Sequence, residues 1–227
     1  MATENVDPVV KEYSAAAQQY DEKWAFYVEA TTRETLKRVP MHDAARVLDV
    51  GCGTGELLRR LAAKYPDSEL SGIDPVPEML AVAKQKLSAR AEFRVGYANA
   101  LPWADESFDV VVSCNMFHYV THPVSALREM DRVLRPGGKL VITDWCDDYL
   151  ACRLCNIYLR MTNRAYYRTY RQQECLSLLH AAGYADVHME RYKIDWLWGL
   201  MTAIVTKTAV SKETLGKSSN HEVVGAA

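Results

Sequence analysis

Three glycines in five positions, Gly51, Gly53 and Gly55, stand between a β-branched run and a helical one. Before them, Arg46-Val47-Leu48-Asp49-Val50 has the composition of a short buried strand. After them, Glu56 to Lys64 places Leu57, Leu58 and Leu61 on one helical face. A strand that enters a helix through such a loop brings bare backbone N–H groups close to a ligand. The bland reading, glycines serving only a tight turn, competes with this one. Glu56 removes two ligand classes. A dinucleotide fingerprint needs a third glycine there, and a carboxylate in the first helical turn would repel a pyrophosphate. A Walker-type loop needs a lysine at that place. A nucleoside without phosphates fits. Asp74 ends the next strand in Gly72-Ile73-Asp74-Pro75, about 20 residues on, where an acidic side chain accepts bonds from ribose hydroxyls. A helix-capping aspartate is the alternative.

The rest of the chain repeats the alternation. Strands are expected at Glu69–Ile73, Glu92–Val95, Phe108–Ser113 and Lys139–Thr143, with helices at Glu78–Leu87 and Pro123–Leu134. Arg135-Pro136-Gly137-Gly138 reads as a turn that stops the last of these helices. This order predicts a doubly wound, Rossmann-like α/β fold of seven mostly parallel strands with helices on both faces. Residues 1–40 form an N-terminal helical cap, with a helical pattern from Val9 to Arg38 broken once. Residues 45–145 form the core, and 146–183 a helical insertion after strand five. That insertion divides into a helix over Asp148–Tyr167 and another over Gln172–Ala182. Final strands are expected at Val187–Tyr192 and Leu200–Lys207. One domain over 1–207 follows, and the stretch from Thr208 reads as a disordered tail.

Composition sets the remaining bounds. With 27 basic and 29 acidic residues the net charge is −2, a poor basis for nucleic-acid binding. No apolar run approaches the ~18 residues of a membrane helix, and the N-terminus does not read as a signal peptide. A cytoplasmic location is therefore expected, with the six cysteines as reduced thiols. Cys152 and Cys155 form a C-x2-C pair without a second pair, so no metal site is expected.

The segment Val47-Leu48-Asp49-Val50-Gly51-Cys52-Gly53-Thr54-Gly55 resembles the glycine motif of class I S-adenosylmethionine-dependent methyltransferases. Four further segments resemble that family in its own order: Gly72-Ile73-Asp74 with Met79-Leu80, Leu101–Asp109, Phe117-His118-Tyr119-Val120, and Leu134–Gly138. The resemblance is nearest to the small ubiquinone-biosynthesis-type enzymes. It implies S-adenosylmethionine as cofactor. Asp49 and the backbone of Gly51, Cys52 and Gly53 would hold the methionine end. Asp74 would bind the ribose, Pro75 and Met79 would pack by the adenine, and Ala98 would offer its backbone to the adenine edge. Asn115 would face the methionine portion, and Tyr20 would approach the cofactor from the N-terminal cap. The family often has Gly-Asp-Ala after strand three, whereas this chain has Gly96-Tyr97-Ala98. Tyr97 supplies no carboxylate, so stacking by Tyr97 and an acceptor atom from Asn99 take that role.

Methyl transfer is an in-line displacement that needs alignment and exclusion of water. An acceptor hydroxyl or enol also needs a base. His118 is the first candidate and Tyr119 the second, with a scaffold role for His118 as the competing reading. Tyr13, Tyr20, Trp24 and Tyr27 from the cap, with Trp145, Tyr149, Tyr158, Tyr166, Tyr167 and Tyr170 after strand five, suggest an aromatic pocket for a small-molecule or lipid acceptor. Arg160, Arg164, Arg168 and Arg171 form a basic face, read first as solvated surface and second as a contact for an anionic head group or a membrane surface. Two other functions stay open: a thiol- or arsenic-directed methyltransferase using Cys146, Cys152 and Cys155, and a non-catalytic cofactor-binding scaffold.

Overall fold

The computed structural model describes residues 7–208. One seven-stranded sheet organises them, in the order β3-β2-β1-β4-β5-β7-β6. The strands are β1 (Arg46–Val50), β2 (Glu69–Asp74), β3 (Ala91–Val95), β4 (Phe108–Cys114), β5 (Leu134–Trp145), β6 (Val187–Lys193) and β7 (Gly199–Thr206). The first five run parallel, and β7 lies antiparallel between β5 and β6. The Rossmann-like architecture read from the sequence is the one observed.

The strand residues alternate between two cores, as the pleat requires. Leu48, Val111, Leu140 and Ile142 pack on one face with Ala126, Leu127, Met130 and Leu179. Val47, Val110, Val112 and Val141 pack on the other with Leu57, Leu58, Leu61 and Leu80. The first group of partners comes from α6 (Pro123–Val133) and α8 (Gln172–Ala182). The second comes from α4 (Glu56–Lys64) and α5 (Pro77–Leu87). Pro77 and Pro123 open their helices, where a missing N–H costs nothing. The cap is made of α1 (Pro8–Ala16), α2 (Tyr20–Lys23) and α3 (Ala25–Arg38). A 3-10 turn over Ala17–Gln19 and a non-helical Trp24 interrupt it, so it breaks twice, not once.

Two other boundaries differ from the sequence reading. Gly137-Gly138 does not end a turn but sits inside β5, which starts at Leu134. The pairing with β4 shifts register between Phe108 and Val110, a bulge that glycine accommodates. Helix α7 (Leu150–Thr162) stops five residues short of Tyr167. Asn163 ends it, because its side-chain oxygen accepts from Ala165 N (2.8 Å) and Tyr166 N (3.2 Å) in place of the helical ladder. The tail beyond Thr208, read as disordered, lies outside the described residues.

Candidate cofactor and acceptor site

From β1 and β4 the strand order runs outward in opposite directions. At the carboxyl ends of these strands, where such folds bind ligands, lies a cavity of about 520 Å³. Its floor is the glycine loop. Gly51 has φ +74°, and a Cβ there would lie 2.1 Å from Met116 Cγ, so no larger residue fits without displacing the turn after β4. Gly53 has φ +51° and open space where a Cβ would stand. The loop is pinned by backbone: Gly51 N and Cys52 N both donate to Ile73 O, at 2.8 and 3.1 Å.

Asp74 ties this loop to the end of β2. Its Oδ2 accepts from Gly53 N at 2.9 Å and its Oδ1 from Val76 N at 3.0 Å. Each oxygen keeps a lone pair for a further donor. Burial pushes its carboxyl up to about 6, against the two backbone bonds that lower it. Asp49 is 2% exposed, and its Oδ1 finds no hydrogen-bond partner among the described residues. Burial, then the nearby charge of Asp74, push its carboxyl up to about 8. A buried carboxylate oxygen without a donor fits a ligand that brings a cationic one. The site's donor set therefore fits an amino-acid ammonium beside a nucleoside.

Of the residues singled out in the sequence, Tyr20, Gly51, Gly53, Asp74, Pro75, Met79, Tyr97, Ala98, Asn99, Asn115 and Tyr119 line the cavity. Asp49, Cys52 and His118 do not; Asp49 is buried on β1, and Cys52 turns its Sγ toward Gly72. Asn115 reaches the wall with φ +58°, and its amide is tied to α3. Its Oδ1 accepts from Tyr27 Oη and its Nδ2 donates to Thr31 Oγ1, each at 2.7 Å. Asn115 therefore presents a fixed surface anchored to α3.

His118 is 3% exposed and turned inward. Its Nδ1 lies 2.7 Å from Asp144 Oδ1, and its backbone N donates to Asp144 Oδ2 at 2.9 Å. Its ring stacks on Trp145 with centroids 5.0 Å apart. Its carbonyl accepts from the N–H groups of Tyr167 and Arg168, which fastens the segment after α7. Tyr119 faces the cavity instead, and its hydroxyl is hydrogen-bonded to that of Tyr13 on α1. Burial holds both phenols protonated: Tyr13 is pushed up to about 12, and Tyr119 goes well above the ordinary value of 10.0. His122, Arg164 and Ala165 complete the acceptor side of the wall. Neither His122 nor Arg164 carries a pocket role in the sequence reading: His122 precedes the helix-opening Pro123, and nothing in local pattern places the α7–α8 connection over the cavity. Cys146, Cys152 and Cys155 are not among the lining residues; Cys152 instead lies 3.4 Å from Gly199 O.

The fold is the one that S-adenosylmethionine-dependent methyltransferases of known structure share, and comparison with known proteins points the same way. Residues 48–142 match the family model described as a methyltransferase domain. The demethylmenaquinone methyltransferase of Deinococcus radiodurans is 41% identical over 107 residues, 46% of this chain and 44% of that one. The ubiquinone/menaquinone biosynthesis C-methyltransferase of Geotalea daltonii is 31% identical over 153 residues, 63% of this chain and 65% of that one. The chain thus aligns with about half the length of the curated relatives it matches. A solved S-adenosylmethionine-dependent methyltransferase of Thermotoga maritima shares the fold at a TM-score of 0.73 and 20% identity, covering 88% of this chain and 100% of that one.

Proposed function

We propose that the protein transfers a methyl group from S-adenosylmethionine to a carbon of a small, apolar, quinol-type acceptor. The observation that carries the first half is the unpartnered Asp49 Oδ1 beside the Asp74-bonded glycine loop. The acceptor class rests on the printed activities of the two relatives above and on the aromatic wall of Tyr13 and Tyr119.

Bound there, S-adenosylmethionine supplies a methyl group already activated on a sulfonium. The chain's own residues do the rest. Asp49 and the backbone carbonyls of the glycine loop accept from the ammonium of the methionine end, and Asp74 holds the ribose hydroxyls. Pro75, Met79, Tyr97, Ala98 and Asn99 enclose the adenine. Asn115 and Met116 form a rigid wall behind the reacting carbon, so the approach is set by packing. Tyr119, kept protonated by burial and bonded to Tyr13, donates a hydrogen bond to an acceptor oxygen. This favours the anionic form of the ring, whose charge reaches the carbon. His122, exposed at the mouth, takes the ring hydroxyl proton to bulk water. His118, held by Asp144, positions Tyr119 from below.

The test is isothermal titration with S-adenosylmethionine, followed by S-adenosylhomocysteine release in the presence of a reduced demethylated quinone. Micromolar binding and acceptor-dependent release are the expected results. Binding without release on quinols would overturn the acceptor class; no binding would overturn the whole reading.

A further inference from the structure

We infer that α7 is an interfacial helix that seats the protein on an anionic lipid bilayer. Helix α7 carries apolar side chains on its outer face as well as its inner one. Leu150, Leu154, Ile157, Tyr158 and Met161 are 70%, 60%, 53%, 65% and 82% exposed. At 3.6 residues per turn these five fall in one arc of about 100°. The inner face is held by Cys152 and Asn156, both buried.

Two neighbouring elements extend the patch. Trp198 on the β6–β7 hairpin and Leu159 on α7 pack on one cluster with Tyr27 and Trp145. Trp196 is 81% exposed and precedes Leu197, whose carbonyl lies 3.7 Å from Cys152 Sγ on α7; Trp24, edge-on to Tyr27 of that cluster, is 39% exposed. A soluble surface scatters single apolar residues; a contiguous set with exposed tryptophans marks an interaction site.

The charge pattern selects the occupant. From Leu150 to Gln173 the chain has five arginines and no acidic residue; Arg168 pairs with Glu174 at 2.5 Å and Arg171 lies 4.0 Å from Asp147, which leaves Arg160 and Arg164 exposed beside the apolar stripe. Against a second copy across a two-fold axis, arginine would meet arginine, which is unfavourable. Against anionic head groups the same arginines are complementary, and the apolar stripe enters the acyl boundary. The placement has a use: Arg164 and Ala165, just past the end of α7, line the cavity wall, so the seated face adjoins the cavity mouth. The inference stands on the surface alone and needs no particular acceptor.

The experiment is co-sedimentation of the full chain with vesicles of phosphatidylcholine alone, and of phosphatidylcholine with about one third phosphatidylglycerol, at low and high salt. Expected is at least tenfold stronger partition onto the anionic vesicles, falling as salt rises. The triple variant L154D/I157D/M161D should lose at least tenfold, and Arg160→Glu at least threefold. Arg33→Glu on the exposed side of α3 should change nothing. Tryptophan emission should shift to the blue on binding, and part of that shift should vanish in Trp196→Phe. Titration with S-adenosylmethionine checks that each variant is folded. Equal partition onto both vesicle types overturns the inference, as does a folded triple variant that partitions like the wild type. A lipid-free dimer that the triple variant dissolves, with no vesicle uptake, would reassign the face to contact between copies. Because no acceptor is present, failure on quinols leaves this result untouched.

Discussion

The loop after β1 and the segment after β5 both close over the same end of the sheet, yet they keep their shapes by different means. The first is built from backbone: left-handed glycines, two N–H groups on Ile73 O, and Gly53 N on Asp74. The second is built from side chains. Asn156 Nδ2 donates to Asp147 Oδ1 at 3.1 Å, Tyr166 Oη donates to Asn156 Oδ1 at 3.0 Å, and Tyr166 also bonds Thr169. A backbone-built loop leaves a fixed residue pattern, because only certain residues permit its dihedrals. A side-chain network can be rebuilt from many combinations, and so it can follow the acceptor.

The sharpest way to break that contrast is Gly51→Ala. The strained φ and the contact with Met116 should cost about 2–4 kcal/mol, read from urea unfolding. Adding Met116→Ala should return part of it; a wild-type midpoint in Gly51→Ala would refute the backbone account. Next is Asp74→Ala, which should weaken S-adenosylmethionine at least tenfold, about 1.4 kcal/mol, by titration calorimetry. On the side-chain half, Tyr119→Phe should lower kcat about tenfold and leave cofactor affinity within twofold. A matching loss of affinity would mean that Tyr119 belongs to the cofactor half instead. A smaller effect is a slope with pH. Asp49, at about 8 in the fold against an ordinary 3.8, holds a proton that the unfolded chain has released. More protons bound in the native state means that its contribution to stability falls as pH rises from about 4 to about 8. Asp49→Asn should flatten that slope in urea midpoints of the ligand-free protein. Least of all, Tyr97→Phe, at a side chain 47% exposed, should change cofactor affinity by less than threefold.

The same division decided what could be read in advance. Helix α4 was legible to the residue, since Gly55 at φ +75° precedes it and Leu57, Leu58 and Leu61 mark its face. Most of the cavity wall was reached through the family resemblance and not through local pattern. His118 and Tyr119 were not separable, because adjacent residues in a 3-10 turn point apart and only the buried Asp144 shows which one turns inward. The end of α7 was also hidden, since the tyrosines after Asn163 keep a helical texture while their amides bond elsewhere. Only the start of β5, Leu134 to Gly138, escapes the sequence, because Pro136-Gly137-Gly138 looks like a terminator although a bulge carries the strand through it.

The position of β7 has a consequence for how the protein is made. β5 is complete at Trp145, but one of its two edges stays open until Gly199–Thr206 arrives and pairs along Lys139–Trp145. During synthesis some fifty residues must therefore emerge while an apolar strand edge waits unpaired. A ribosome that pauses after β6, or a message truncated there, would release a chain whose sheet ends at that open edge. Such a product would be a substrate for chaperones rather than a smaller working enzyme.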